Sequence, residues 1–424
     1  MTSRLRTVDG IAKRLLLKSL GSLARGSLRI DDPVGTTLIG MPGELDVAVR
    51  VHEGRFYRRA IAGGSIGVAE SYIAGDWDCD DLVGLVRLLV RNIQSASRLD
   101  AGVSRLAAWG GRAYHWLRSN TKAGSKKNIG AHYDLGNDFF KLWLDDTLAY
   151  SSGVFRGKAS SLQDASTEKF DRVCRKLDLR SGDRVVEIGT GWGGFALHAA
   201  GEYGAHVTTT TISERQWEEA ERRIESARLR QRVRLMKADY RDLEGKFDKL
   251  ASIEMIEAVG HRYLDGYFRR CSELLESDGT MVVQAIVMPE SRHAEYLRSV
   301  DFIQRYIFPG GCLPSVASML DAAGRAADLR VVHVEDMAPH YAETLRQWNR
   351  RFHGRLDEVR RLGHSEEFIR LWRFYLCYCE ALFEERHVGV VQIQFDKPQC
   401  RRDPIDVSRW ASEPRRAPLL EKSA

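Results

Sequence analysis

The stretch Arg184-Val-Val-Glu-Ile-Gly-Thr-Gly-Trp-Gly-Gly194 decides the fold that the sequence predicts. Its apolar residues Val185, Val186 and Ile188 predict a short buried strand. The glycines that follow allow a tight turn and a close approach of the backbone to a ligand, before a helix begins at Phe195. A strand, a glycine-rich turn and a helix in this order indicate a nucleotide-binding loop. Its spaced glycines are Gly189, Gly191 and Gly193.

The glycine pattern alone fits two ligands, a dinucleotide and S-adenosylmethionine (SAM). A dinucleotide site needs an acid about 20 residues further on, at the end of the next strand. The next predicted strand, residues 206–212, has no acid at its end. The acids lie elsewhere: Glu187 within the first strand could accept a hydrogen bond from the amino group of a methionine moiety, and Asp239 at the end of the third strand could meet the adenine. SAM is therefore the favoured ligand.

The bulk properties indicate a two-domain globular chain. Its 424 residues exceed the size of most single cores. The composition, 43% hydrophobic and 29% charged, is typical of a soluble protein, and no run of about 18 apolar residues could span a bilayer. The first residues lack a signal-peptide core and a cleavage site, so a cytoplasmic location is expected. Seven scattered cysteines predict reduced thiols, and no metal site is predicted.

The first 30 residues have an excess of positive charge interleaved with apolar side chains. This pattern predicts a basic amphipathic helix suited to anionic lipid headgroups. An ordinary surface helix packed on its own domain fits the composition equally well. The net charge of +6 is modest, and no nucleic-acid partner is predicted. The basic residues are Arg4, Arg6, Lys13, Arg14, Lys18, Arg25 and Arg29, and the apolar ones are Ile11, Leu15, Leu16, Leu17 and Leu20.

Strands alternate with helices from Val185 onward, which predicts a Rossmann-like α/β fold with a parallel sheet and helices on both faces. A smaller α+β domain is expected before it, because residues 44–52 alternate as a half-buried strand and residues 82–93 have helical periodicity. The predicted organisation is a lipid-engaging domain over 1–118, a polar linker over 119–129, a catalytic domain over 130–396 and a disordered tail over 397–424.

Six motifs stand in the order seen in cyclopropane-fatty-acyl-phospholipid synthases, and the chain resembles that family, which includes the mycolic acid cyclopropane synthases. The resemblance extends from about Val68 to Phe395. The motifs are His132-Tyr-Asp-Leu-Gly-Asn-Asp-Phe139, Tyr150-Ser151-Ser152, the glycine loop, Thr211-Ile-Ser-x-x-Gln216, Ser252-Ile-Glu-Met-Ile-Glu-Ala-Val-Gly-His261 and Phe308-Pro-Gly-Gly-Cys-Leu-Pro-Ser315.

The resemblance implies a SAM-dependent methyltransferase that adds a methyl(ene) group to the double bond of an unsaturated acyl chain in a membrane phospholipid, forming a cyclopropane. It also implies peripheral contact with the inner face of the membrane, and it is compatible with a homodimer. An alkene is a poor nucleophile, so the site must hold it against the sulfonium in a dry pocket and tolerate a carbocation. Aromatic faces can stabilise such a cation, although core packing is their commoner role. The candidates are Tyr133, Phe155, Tyr306 and Phe308.

The resemblance also assigns cofactor contacts. It implies that Tyr150 and Ser151 meet the amino-acid end of SAM. Thr190 replaces the Cys that the family usually has in the glycine loop, and no loss of SAM binding is expected from it. The further expected contacts, with Glu187 and the loop glycines, are Thr211, Gln216, Asp239 and Tyr240.

Ring closure must remove a proton from the newly added methyl group. The resemblance implies a bound bicarbonate as the base, held by Ser152, Glu257, Gln284, Ile286 and Tyr341. Ser152 and Gln284 stand where the family usually has Cys and often has His, and both can still donate hydrogen bonds to an anion. Taken without the family, Glu257 could simply cap a helix.

The two replacements leave the product open. A carbocation that undergoes a hydride shift would yield a methylene-branched, methyl-branched or furan-precursor fatty acid in place of a ring. A non-catalytic lipid-binding relative is the alternative of another class, and the retained acids Glu187 and Glu257 argue against it. Cys379, on a late helix, is expected to be a buried structural thiol.

Overall fold

The computed structural model describes residues 6–21, 23–92, 135–157 and 159–402. The chain divides into two compact units. The first comprises Met1–Leu117, Glu295–Ile307 and Leu345–Val388, and the second comprises Arg118–Ala294, Phe308–Thr344 and Gly389–Ala424. This division differs from the predicted domains, because two segments from within 130–396 belong to the first unit. The predicted linker 119–129 and the part of the tail beyond residue 402 lie outside the described residues.

The helices begin where the sequence supplies capping side chains. Ser161, Ser213 and Ser365 each accept a hydrogen bond from a backbone N–H of the first turn that follows. In chain order the α-helices of the described residues are α1 (Thr7–Leu20), α2 (Arg55–Ile73), α3 (Leu82–Arg91), α4 (Asn137–Lys141), α5 (Leu162–Lys176), α6 (Gly194–Tyr203), α7 (Glu214–Ser226), α8 (Leu264–Leu274), α9 (Glu290–Tyr296), α10 (Phe302–Tyr306), α11 (Val316–Ala326), α12 (Ala338–His353), α13 (Leu356–Arg361) and α14 (Glu366–Glu384).

The first unit contains a four-stranded sheet in the order β2-β1-β3-β4. Strand β3 confirms the predicted alternation, with Val47, Val49 and Val51 buried. The pairs β1–β2 and β3–β4 are antiparallel, and β1–β3 is parallel. The strands are β1 (Ser27–Asp32), β2 (Gly35–Gly40), β3 (Asp46–Val51) and β4 (Trp77–Cys79).

Helix α14 explains why a late segment belongs to the first unit. It is rich in buried aromatic side chains, and the ring of Phe374 packs 5.7 Å from that of Tyr72 on α2. Just beyond the helix, Glu385 accepts hydrogen bonds from Arg87 (2.7 Å) and Arg91 (2.8 Å) on α3. The apolar face of α14 is therefore buried against helices that precede it in the chain by almost 300 residues.

The second unit is built on a seven-stranded sheet in the order β10-β11-β9-β8-β5-β6-β7, which confirms the Rossmann-like prediction. The five strands from β9 to β7 in this order are parallel, as predicted. Strand β11 is antiparallel to both of its neighbours, which departs from the all-parallel expectation. The strands are β5 (Arg184–Ile188), β6 (His206–Thr211), β7 (Val233–Lys237), β8 (Phe247–Ile253), β9 (Leu275–Val287), β10 (Arg330–Asp336) and β11 (Gly389–Asp396).

The parallel strands bring the predicted motifs to one edge of the sheet. The carboxyl ends of neighbouring parallel strands meet at the same edge, which is where α/β proteins bind ligands. Strand β5 ends at the glycine loop, and the adjacent β8 ends just before Glu254 and Glu257. Gln216 lies in the first turn of α7, which follows β6, and Asp239 lies in the loop after β7. Within the described residues, no helix is both long and apolar enough to cross a membrane.

Candidate active site

The glycine loop has the backbone geometry that its glycines predict. Gly189, Gly191 and Gly193 have φ angles of 91°, 55° and 87°, in the left-handed region that favours glycine. The N–H of Thr190 donates to the carbonyl of Thr210 (2.9 Å), which fixes the loop to β6. Helix α6 begins directly after the loop, so its free N–H groups face the same edge of the sheet.

Glu187 is a buried carboxyl group at the end of β5. One oxygen accepts a hydrogen bond from the hydroxyl of Thr209 (2.5 Å), and burial raises the pKa of Glu187 to about 7. The amino group of SAM would add a positive charge beside this carboxylate, in addition to that of Lys169. The predicted role of Glu187 thus fits its surroundings.

Lys169 on α5 is a site residue that sequence reasoning missed. Its side chain is fully buried, and the ammonium donates to the hydroxyl of Ser151 (2.5 Å). Burial lowers the pKa of Lys169 to about 8, against the opposing charges of Glu254 and Glu187. The sequence contained a signal for its burial, because Lys169 falls at a position where the periodicity of this amphipathic helix predicts a buried residue.

Tyr150 belongs to an aromatic cluster next to the glycine loop. Its ring centroid lies 5.4 Å from that of Trp143, 5.5 Å from that of Phe140 and 6.2 Å from that of Phe308. Phe140 also contacts Trp192 of the glycine loop at 4.9 Å. This cluster could keep water away from a cationic intermediate and stabilise it through the ring faces.

Two further side chains fix the glycine loop, and the first lies in the motif 132–139. Asn137 accepts a hydrogen bond from the indole N–H of Trp192 (2.8 Å), whereas His132 and Tyr133 lie outside the described residues. The second is Arg223 on α7, which sequence reasoning missed. Its guanidinium donates to the carbonyl oxygens of Trp192 (2.7 Å) and Thr147 (2.9 Å), so it joins the glycine loop to the loop before Tyr150.

The predicted contacts after β6 and β7 have partners within the protein. The hydroxyl of Thr211 donates to the side-chain carbonyl of Gln216 (2.9 Å), and both residues are buried. Both carboxylate oxygens of Asp239 are held by Arg241, at 2.7 and 2.8 Å. Tyr240 packs edge-on against Tyr267 at 5.6 Å. An adenine amino group would therefore share Asp239 with Arg241.

Three of the residues expected to hold bicarbonate converge on a carboxylate of the chain, Glu254. One of its oxygens accepts hydrogen bonds from the backbone N–H of Ser152 (2.9 Å) and the amide of Gln284 (2.7 Å). The other accepts from the hydroxyl of Tyr341 (2.9 Å). Burial raises the pKa of Glu254, while Lys169 and these donors oppose that effect.

The remaining two expected ligands also bind each other. The backbone N–H of Ile286 donates to one oxygen of Glu257 (2.5 Å), and the second oxygen of Glu257 is buried with no hydrogen-bond partner among the described residues. Burial and the nearby Glu254 raise the pKa of Glu257 to about 8. The donors expected for bicarbonate are therefore engaged by protein carboxylates, and this set of residues does not fit a bound bicarbonate in addition.

The orientation of Gln284 is set by a chain of buried polar groups. Its carbonyl oxygen accepts from the amide of Gln392 (2.9 Å), whose own carbonyl accepts from the ammonium of Lys176 (2.6 Å). The NH₂ group of Gln284 must therefore face Glu254. Ser152 contacts Glu254 through its backbone N–H only, and its hydroxyl donates instead to the carbonyl of Gly153 (3.1 Å).

The other aromatic candidates and the late cysteine lie in different units. Phe155 stacks on His340 at 6.4 Å in the second unit. Tyr306 belongs to the first unit, where its hydroxyl bonds to Glu70. Cys379 also lies in the first unit, and burial raises the pKa of its thiol, in keeping with the expected structural role. All seven cysteines are free thiols.

The seven-stranded sheet, the glycine loop with its buried acid Glu187, and the buried acids after β8 define the second unit as a SAM-dependent methyltransferase. The particular family follows from comparison with known sequences. Residues 120–393 match the family described as mycolic acid cyclopropane synthetase, and the chain belongs to that family.

Relatives of known name agree with this assignment. The chain is 37% identical to tuberculostearic acid methyltransferase UfaA1 of Mycobacterium tuberculosis over 79% of each chain. It is 32% identical to the cyclopropane-fatty-acyl-phospholipid synthase of Escherichia coli K12, over 85% of this chain and 90% of the relative. A crystal structure of mycolic acid cyclopropane synthase CmaA1, complexed with SAH and CTAB, is 30% identical with a TM-score of 0.60, and covers 64% of this chain and 98% of that one. The protein is thus a lipid-modifying methyltransferase that uses SAM.

Proposed function

We propose that the enzyme transfers a methyl group from SAM to the double bond of an unsaturated acyl chain in a membrane phospholipid, and that loss of a proton closes a cyclopropane ring. The observation that carries this proposal is the pair of buried carboxyl groups, Glu254 and Glu257, at the end of β8. They lie beside the strand that ends in the glycine loop. Loss of a proton from the new methyl group requires a base, which a buried carboxylate can supply.

The chemistry explains why the site combines acids with aromatic residues. The S–CH₃ bond of SAM breaks as the alkene π electrons form a new C–CH₃ bond, which leaves a cation on the neighbouring carbon. The rings of Tyr150 and Phe308 would exclude water that could otherwise trap the cation. A base then removes a proton from the new methyl group, and its electron pair closes the ring.

A second product has support from particular residues. Ser152 and Gln284 depart from the pattern that the resemblance predicts, and the relative from Mycobacterium tuberculosis is named as a methyltransferase. A hydride shift to the cation, followed by proton loss from the methyl group, gives a methylene branch and needs no further reagent. A saturated methyl branch would require a separate reductant, which makes the methylene-branched acid the second candidate product of this chain.

The test uses purified enzyme, SAM and vesicles of dioleoyl phosphatidylglycerol. Formation of S-adenosylhomocysteine shows methyl transfer, and mass spectrometry with proton NMR of the released fatty acids identifies the product. Ring protons would support the cyclopropane proposal. Vinylidene protons without a ring would replace it with the second candidate. Binding of vesicles without any S-adenosylhomocysteine, and no calorimetric binding of SAM, would favour a non-catalytic lipid-binding protein.

We also propose that the first unit holds the enzyme on the cytoplasmic face of an anionic membrane. Helix α1 packs by Leu16 and Leu20, so in part it is an ordinary surface helix. Its other face leaves Val8, Ile11 and Leu15 60%, 51% and 49% exposed, at spacings of three and four residues that place them on one side. Exposed basic residues, Arg14 and Lys18, lie on the same helix. Apolar and basic groups together suit the interface of an anionic bilayer.

A double substitution tests this contact better than a deletion, because β1 begins at Ser27 and removal of the first 30 residues would damage the sheet. Ile11→Glu with Leu15→Glu should weaken binding to phosphatidylglycerol vesicles at least tenfold, by loss of buried apolar area and by charge repulsion. The control is Leu362→Glu, at an exposed leucine that follows α13. Equal vesicle binding by the double variant and the control would contradict the proposal.

A further inference from the structure

The carboxylate of Glu254 takes up the hydrogen-bond donors that an external anion would need. The N–H of Ser152, the amide of Gln284 and the hydroxyl of Tyr341 all point at it, at 2.7 to 2.9 Å. A carboxylate and a bicarbonate ion present the same planar pair of oxygens to such donors. The chain itself thus supplies the group that the resemblance assigns to a dissolved ion.

The backbone at Glu254 is strained in a way that the side-chain contacts explain. Its φ angle is 50°, in the left-handed region that costs a residue with a side chain about 1 kcal/mol or more. Its N–H donates to the carbonyl of Gln284 (2.8 Å), so the strained turn is fixed from both the backbone and the side chain. Non-glycine residues in this region concentrate at functional sites, where the rest of the structure holds them in place.

Of the two acids at the end of β8, Glu254 is the better base at neutral pH. Among the described residues the side chain of Glu257 accepts one hydrogen bond, from the N–H of Ile286, and its raised pKa of about 8 favours the protonated form at pH 7. Glu254 has three donors that favour its ionised form, and the buried cation Lys169 acts in the same direction. Burial raises the pKa of Glu254 as well, but these groups oppose that effect. Glu254 is therefore the acid whose ionised form, the one that can accept a proton, has hydrogen-bond support in the site.

We infer that Glu254 is the general base of the reaction, built into the chain in place of bicarbonate. This inference rests on the proposed function. After methyl transfer, a C–H bond of the new methyl group breaks, its electron pair forms the C–C bond that neutralises the cation, and the proton goes to a carboxylate oxygen of Glu254. The resulting carboxylic acid returns the proton to water before the next turnover. No external base is consumed.

The experiment measures S-adenosylhomocysteine formation on dioleoyl phosphatidylglycerol vesicles, in buffer freed of carbon dioxide and again with millimolar bicarbonate. The wild-type rate should be the same in both. Glu254→Gln, which keeps the shape but not the basicity, should lose about 100-fold or more, and bicarbonate should not restore it. Glu254→Gly removes the carboxylate, relieves the strained φ and leaves the three donors around a vacated space. Millimolar bicarbonate should therefore raise the rate of this variant at least tenfold.

Arg228→Gly is the matched control, because Arg228 has the same left-handed backbone (φ 56°) at an exposed position of the second unit. It should keep the wild-type rate and its indifference to bicarbonate. Several-fold stimulation of the wild type by bicarbonate, or a wild-type rate in Glu254→Gln, would overturn the inference while methyl transfer itself stands. Absence of S-adenosylhomocysteine from the wild type in both buffers would instead refute the proposed function.

Discussion

Glu187 predicts that SAM binding depends on pH. Its carboxyl group is buried, with one hydrogen bond from Thr209, and burial raises its pKa from 4.5 to about 7. Without SAM, the neutral form that the folded protein prefers contributes stability below pH 4.5, and this contribution is lost as the pH rises to about 7. A cationic ligand reverses the preference, because the ammonium and sulfonium of SAM interact favourably with the ionised form. SAM binding should therefore release a proton from Glu187.

The magnitude follows from the raised pKa. At pH 6 a group with a pKa of about 7 is ionised in roughly one molecule in ten, so the apparent affinity for SAM should be about tenfold weaker than at pH 8. That ratio corresponds to about 1.4 kcal/mol. Close to one proton should be released per SAM bound at pH 6, and about half a proton at pH 7.

Isothermal titration calorimetry in two buffers of different ionisation enthalpy measures both quantities. Glu187→Gln should bind SAM more weakly and lose the pH dependence between 6 and 8. Glu244→Gln, at an exposed position, is the control and should keep it. Proton release that is absent at pH 6 in the wild type, or that persists in Glu187→Gln, would refute the reasoning about the buried acid.

Three other changes test the supports of the site. Lys169→Met removes the buried amine that donates to Ser151 and should lower the free energy of unfolding by about 3 kcal/mol at pH 8, as measured with urea. The loss should be smaller at pH 6, because burial disfavours the charged form that Lys169 takes below its pKa of about 8. Arg223→Lys loses the forked contact with two loops and should weaken SAM binding about tenfold; unchanged calorimetric affinity would contradict that role. Gly193→Ala forces a side chain into φ 87° and should cost about 1–2 kcal/mol, whereas Gly201→Ala inside α6 should not destabilise.

The glycine loop could be predicted because its signal is local. Apolar residues, an acid and spaced glycines lie within eleven residues, and the requirement for left-handed backbone falls on the glycines themselves. The parallel strands follow for the same reason, since each strand and its helix are contiguous in sequence. Strand β11 departs from the parallel sheet that the sequence predicts, because the direction of a strand depends on pairing partners that are distant in sequence.

The domain division could not be read from the sequence for a related reason. Helix α14 has an aromatic face, but periodicity shows only that the face is buried and not which helices cover it. The partners that cover it, α2 and α3, precede it by almost 300 residues, and the ion pairs of Glu385 with Arg87 and Arg91 have no local signature. A division of the sequence into consecutive ranges therefore assigned this helix to the catalytic domain.

Glu254 was visible in a quoted motif, yet nothing in the sequence distinguished it from a solvated acid after a strand. Its role depends on donors that come from three other segments, around residues 152, 284 and 341. Lys169 was missed for the same reason, because a lysine on a helix is usually exposed. Local patterns identify the cofactor loop, whereas the base of the reaction depends on contacts between distant segments.

The two replacements that left the product open have one structural explanation. Ser152 meets Glu254 through its backbone, so an exchange of Cys for Ser leaves that donor unchanged. Gln284 is held by Gln392 so that its NH₂ group donates to Glu254 and, at 3.3 Å, to the carbonyl of Ser152. An amide, unlike an imidazolium, adds no charge that would compete with Lys169 for the carboxylate. Both residues suit an anion that belongs to the chain. The choice between ring and branch then depends on how close the fixed carboxylate of Glu254 lies to the new methyl group.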